Sequence, residues 1–146
     1  MTSAILTKCS LLLIKPHIIQ NRQLGKVIDL LLTDGGFEIS ALQMFHLNKS
    51  TACEFFEIYK GVVTDFNQMT DYIATGGAII ACEIRQEDAV NKLRKFCGPH
   101  DPMEARQYTP SSMRAMFGVD KIRNGFHCTD LPEDGLLECE YFFVLL

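Results

Sequence analysis

Apolar positions along this chain fall into two kinds of run, and their order predicts its elements. Cys9–Ile14 is short, continuously apolar and ended by Pro16, the pattern of a buried strand. Leu24, Val27, Ile28, Leu31 and Leu32 then recur at helical spacing and stop at Gly35-Gly36. From Phe37 to Met44 the side chains alternate as in a strand with one face more polar at its start. Ser50 and Thr51 suit the N-cap of a helix through Tyr59, and a second short helix is predicted from about Asp65 to Ala74, ended by Gly76-Gly77. Ala78–Ile84 is again continuous and apolar, so it reads as a central strand. Ala89, Val90, Leu93, Phe96 and Cys97 form another helical stripe, closed by Gly98-Pro99.

From Gly98 to Ser112 the chain is polar, carries three prolines and has no period, which predicts a long functional loop. Ser111-Ser112 can cap a short helix to Phe117. Leu131–Leu137 reads as a turn with a short helix, and Glu138–Leu145 as the last strand. The order predicts an α+β fold over one domain, residues 1–146. It is a ferredoxin-like βαββαβ sandwich with helices on one face of an antiparallel four-stranded sheet.

Composition narrows the function. A chain of 146 residues with 47% hydrophobic residues can bury a full core, so disorder, collagen and coiled coil are excluded. Fourteen Lys and Arg against eighteen Asp and Glu give a net charge of −4. That balance has no global attraction for nucleic acid or an anionic membrane. Any bound anion must be held by a few focused cations. The six cysteines form no CxxC pair and no zinc spacing, so they are expected to be buried free thiols in a reducing compartment. The longest N-terminal apolar run, Leu11–Ile14, is too short to span a membrane and no signal-peptide layout surrounds it, so a soluble, cytoplasmic protein is expected.

His17, His46 and His100 read as surface or structural residues. His127 differs, because Lys121-Ile-Arg-Asn-Gly-Phe-His-Cys-Thr-Asp130 gathers cations, an amide, a hydroxyl and a carboxylate around one imidazole. Glu138 follows eleven residues later. A carboxylate accepting from one ring nitrogen would free the other as a nucleophile. Spacing alone is equally compatible with a solvated strand end.

Leu13-Ile-Lys-Pro16, Gly76-Gly77 and Asn124-Gly-Phe-His-Cys-Thr-Asp130 together resemble the nucleoside diphosphate kinases, over about Cys9 to Phe143. Glu38-Ile-Ser-Ala-Leu-Gln-Met-Phe45 and His127-Cys-Thr-Asp-Leu-Pro-Glu-Asp-Gly-Leu-Leu137 are most similar to a tandem-domain branch associated with axonemal microtubules and centrosomes. The resemblance implies transfer of a γ-phosphoryl from a nucleoside triphosphate to a nucleoside diphosphate through a phosphohistidine. His127 matches the phosphorylated residue, Glu138 the carboxylate that orients it, and Lys15 the lysine at the transferring phosphoryl. Arg94 and Arg114 match phosphate-binding arginines, Asn124 the amide on the ribose, and Thr129 the hydroxyl beside the histidine. Mg²⁺ is expected to arrive with the nucleotide rather than in a protein cage. A homo-oligomer, tubulin or centrosomal partners, and a place at the cytoskeleton or cilium are further expectations of the resemblance.

The sequence departs from the family mainly on the nucleoside side. Phe56 stands where the family has a tyrosine, Asp65 near its base-stacking phenylalanine, Val62 near an arginine and His100 at a phosphate-contacting threonine. Cys128 replaces a glycine and is expected on a turn. An interaction module with weak catalysis is the alternative these changes suggest.

Overall fold

The computed structural model describes residues 8–146. Its strands are β1 (Cys9–Ile14), β2 (Glu38–Phe45), β3 (Ile79–Arg85) and β4 (Phe126–Cys128), in the sheet order β2-β3-β1-β4 with every neighbouring pair antiparallel. Its α-helices are α1 (Pro16–Gln20), α2 (Leu24–Thr33), α3 (Lys49–Phe55), α4 (Phe66–Thr75), α5 (Ala89–Cys97), α6 (Pro102–Tyr108), α7 (Met113–Phe117) and α8 (Gly135–Glu140). The α+β, ferredoxin-like sandwich is the observed fold.

Every residue of β1 is buried, which a strand with one wet face could not be. Leu12 and Ile14 join Val27, Leu31 and Leu93 in one core, while Leu11 and Leu13 join Phe56, Ile73 and Phe142 in another. Successive side chains of a strand point to opposite faces, so the continuous apolar run requires a cover on each. The helices therefore pack on both faces of the sheet, not on one.

The fourth strand is Phe126–Cys128, not Glu138–Leu145. Its three residues pair with Leu12–Ile14 and fill the free edge of β1. Glu138 instead belongs to α8, and Tyr141–Leu145 continues that helix as a wider π-helical turn. The apolar run Tyr141–Leu145 resembles a strand by composition, yet Cys139 and Phe142 are buried at a helical interval while Val144 and Leu145 face outward.

Two smaller differences concern helix starts. Asn48 rather than Ser50 or Thr51 caps α3, its side chain accepting from Thr51 N at 2.8 Å. The expected loop 98–112 contains α6, with Asp101 accepting from Met103 N at its N-cap and Pro102 at its first position. Five of the six cysteines are buried and all are free, as expected. No helix among the described residues is long and apolar enough to cross a membrane.

Candidate functional site

β1 and β4 bring the sequence-predicted residues to one end of the sheet. Leu13 lies opposite His127 and Ile14 opposite Phe126. Beyond the ladder, Lys15 N donates to Gly125 O at 2.8 Å. Gly125 has φ of +94°, a conformation that favours glycine, and this turns Asn124 into the strand. Lys15 and His127 are thus fixed by backbone pairing rather than by a mobile loop.

Glu138 reaches His127 from α8. His127 Nε2 lies 2.9 Å from Glu138 Oε1, and both side chains are largely buried. The same carboxylate oxygen accepts from Thr129 Oγ1 at 3.3 Å, and Thr129 Oγ1 accepts from Leu11 N at 3.0 Å. Thr129 is completely buried behind the histidine, and its hydroxyl orients the carboxylate instead of lining the cavity. A carboxylate can only accept, so the ring proton sits on Nε2. Nδ1 keeps its lone pair and has no hydrogen-bond partner among the described residues.

The cavity beside His127 is lined by Lys15, Arg114, His100 and Asp130 among polar groups and by Phe56, Tyr59 and Phe126 among rings. Arg114, on α7, donates to Gly98 O at 2.6 Å and Phe126 O at 3.0 Å. Those carbonyls fix the plane of its guanidinium. Lys15 is 3% exposed and donates to Ile122 O at 3.1 Å. Burial and the nearby Arg114 charge push its ammonium pKa down to about 7. Arg94 lies one step away, in a wider depression that shares Arg114, His100, Cys128 and Asp130 with the cavity. Its guanidinium donates to Asp130 O at 3.1 Å. Asn124 is fully buried; its amide nitrogen donates to His100 O at 3.0 Å, while its carbonyl oxygen has no partner. Of the seven residues singled out in the sequence, Lys15, Arg114 and His127 line the cavity and Arg94 the depression beside it, while Glu138 and Thr129 stand behind the histidine and Asn124 is buried against His100.

Other residues differ from their sequence reading. Phe56 packs edge-on against His127 with ring centres 5.2 Å apart. Tyr59, one short turn later, also faces the ring and brings a hydroxyl into the cavity, where it donates to Asp130 Oδ2. The sequence shows Asp130 only as the carboxylate near His127 and gives Tyr59 no role, because a contact across 71 residues leaves no local pattern. Cys128 is a buried strand residue rather than a turn residue. A hydrogen bond with the Cys97 thiol, then the Arg114 and His127 charges, hold its thiol pKa down. His17 is buried with neither ring nitrogen bonded, the structural rather than the surface form of its reading.

Among the described residues no three His, Cys, Asp or Glu side chains gather into a metal cage. The cavity's fixed donors, Lys15 and Arg114, are cationic and suit phosphate oxygens.

The family model described as "Nucleoside diphosphate kinase" matches residues 8–145. The chain is 46% identical over 144 residues to nucleoside diphosphate kinase homolog 7 of Rattus norvegicus, covering 99% of this chain and 36% of that protein. It thus spans little more than a third of that relative. A nucleoside diphosphate kinase of Aquifex aeolicus is 34% identical over 92% of both chains. A crystal structure from the same organism superposes with a TM-score of 0.86 over 94% of this chain and 96% of that one.

Proposed function

The chain belongs to the nucleoside diphosphate kinase family, and on that premise we propose that it moves a γ-phosphoryl from a nucleoside triphosphate to a nucleoside diphosphate through His127. The observation that carries this reading is the 2.9 Å bond from His127 Nε2 to Glu138, which leaves Nδ1 free on a ring lining a cavity with Lys15 and Arg114. The Nδ1 lone pair attacks the γ-phosphorus, the P–O bond to the β-phosphate breaks, and the diphosphate leaves. The N–H shared with Glu138 stabilises the charge that develops on the ring. A terminal oxygen of a second diphosphate then takes the phosphoryl by the reverse step. Charge spreads over the phosphoryl oxygens in the transition state, and Lys15 with Arg114 supplies fixed compensation. Arg94 takes the outer phosphates, and Asn124, the amide the family sets on the ribose, is fully buried and braces the His100 backbone. Mg²⁺ bound to the phosphates would neutralise further charge.

Incubation with Mg²⁺ and γ-labelled ATP tests this. The expected product is an acid-labile, base-stable phosphoprotein that His127→Ala abolishes. Equal, negligible labelling of both proteins would overturn the reading.

One observation favours a second reading. The groove beside His100 is lined by Val62, Asp65, Asp101, Glu104 and Lys121 and, among the described residues, offers no Phe, Tyr or Trp ring for a base to stack on. Weak base binding would suit a domain kept as an interaction module, toward a second copy of itself, tubulin or centrosomal proteins. Exchange between different nucleotides at about 1 s⁻¹ or faster argues against that role being the main one.

A further inference from the structure

Asp130 contributes the one carboxylate among the described residues lining the cavity around His127. A negative charge there opposes every phosphate that enters. The structure shows how it is restrained. The Tyr59 hydroxyl donates to Asp130 Oδ2, while the Asp130 backbone carbonyl accepts from Arg94 at 3.1 Å. Tyr59 is itself held in place, because its ring leans on Phe56 with centres 6.1 Å apart and stands edge-on to His127 at 6.3 Å. Burial, and then the Asp130 bond, push the phenol's pKa well up, so it remains a neutral donor throughout the working pH range.

We propose that Tyr59 is a positioning residue for nucleotide binding: its hydroxyl holds the Asp130 carboxylate against the turn Glu57–Tyr59 and so keeps that charge off the path of the phosphates. This rests on the phosphotransferase reading of the same cavity. It makes Asp130 a joint with two separate tasks, its backbone steadying Arg94 and its side chain turned aside by Tyr59. Without the hydroxyl the carboxylate is free to compete with phosphate for Arg94 and Arg114.

The test is equilibrium titration of ADP into wild type, Tyr59→Phe, Asp130→Asn and the double variant, alongside labelled phosphoenzyme yield and steady-state kinetics. Tyr59→Phe is expected to weaken ADP binding and raise KM about tenfold while kcat changes less than threefold, and the loss should shrink at high salt. Asp130→Asn alone should bind at least as well as wild type, and in the double variant it should restore most of the affinity. A purely structural hydrogen bond gives the opposite pattern, with the double variant as weak as Tyr59→Phe. If Tyr59→Phe does not fold, Tyr59→Leu removes the hydroxyl in the same comparison. Unchanged binding in Tyr59→Phe, failure of the double variant to recover, or weaker binding in Asp130→Asn overturns the proposal and leaves the phosphotransferase reading standing. A wild type that neither binds ADP nor becomes labelled overturns both.

Discussion

Gly135 lies so close to Cys9 that a Cβ at position 135 would stand 2.2 Å from the Cys9 carbonyl oxygen. This contact seats the start of α8 on β1, and Glu138 sits one turn further along the same helix. Gly135→Ala must therefore push the helix off the strand, because a backbone oxygen in a sheet cannot move aside. The expected cost is about 3 kcal/mol of stability. Phosphoenzyme formation should fall further than stability alone accounts for, since the 2.9 Å bond to His127 lengthens. Urea denaturation and labelling of the still-folded fraction at low temperature check the two effects separately.

Lys15 makes nucleotide binding pH-dependent. With its pKa pushed down to about 7, part of the ammonium is already neutral in the empty cavity at neutral pH. A polyphosphate favours the charged form and raises that pKa again. Binding should therefore take up a proton above pH 7, approaching one per site near pH 9, and affinity should fall as pH rises. Below about pH 6 the contribution vanishes, because the ammonium is charged in both states. Calorimetric titration of ADP in buffers of different ionisation enthalpy measures the uptake, and Lys15→Met should abolish it.

His17 acts on stability instead. Burial, then the Lys15 and Arg123 charges, push its pKa down to about 4, below the unfolded value of about 6.5. Between those values the unfolded chain binds more protons than the folded one. Stability should drop as pH falls from 6.5 to 4, by roughly 2–3 kcal/mol from this group, and level off below 4. His17→Phe, which keeps a flat ring beside Tyr72, should flatten that part of the urea midpoint against pH. A variant profile parallel to wild type would show that the loss comes from other groups.

Much of this arrangement was readable in the sequence, and the unreadable parts have physical reasons. The central strands and the α2 and α5 stripes were visible because burial on a regular element leaves a period. His127 was visible from the cations, amide, hydroxyl and carboxylate crowded around it, and Lys15 and Arg114 only through the family resemblance that their motifs carry. β4 was not, since three residues are too few to show a period and its partner lies more than a hundred positions away. The C-terminal run misled because it is apolar at nearly every position, which suits a buried strand and a helix alike. α6 carried its own signal in Asp101-Pro102, masked by the prolines around it. The Tyr59–Asp130 pair and the route from Leu11 through Thr129 to Glu138 are tertiary relationships that no window of sequence contains.

β1 carries a consequence for how the protein fails. It is buried on both faces and bonded along both edges, and Lys15, His127 and the Leu11–Thr129 link all depend on it. Its amide hydrogens should exchange with solvent only when the whole domain opens. The phosphate recess then has no separate melting of its own: on heating, phosphoryl transfer and the fold should disappear in a single transition, with no folded but disassembled intermediate between them.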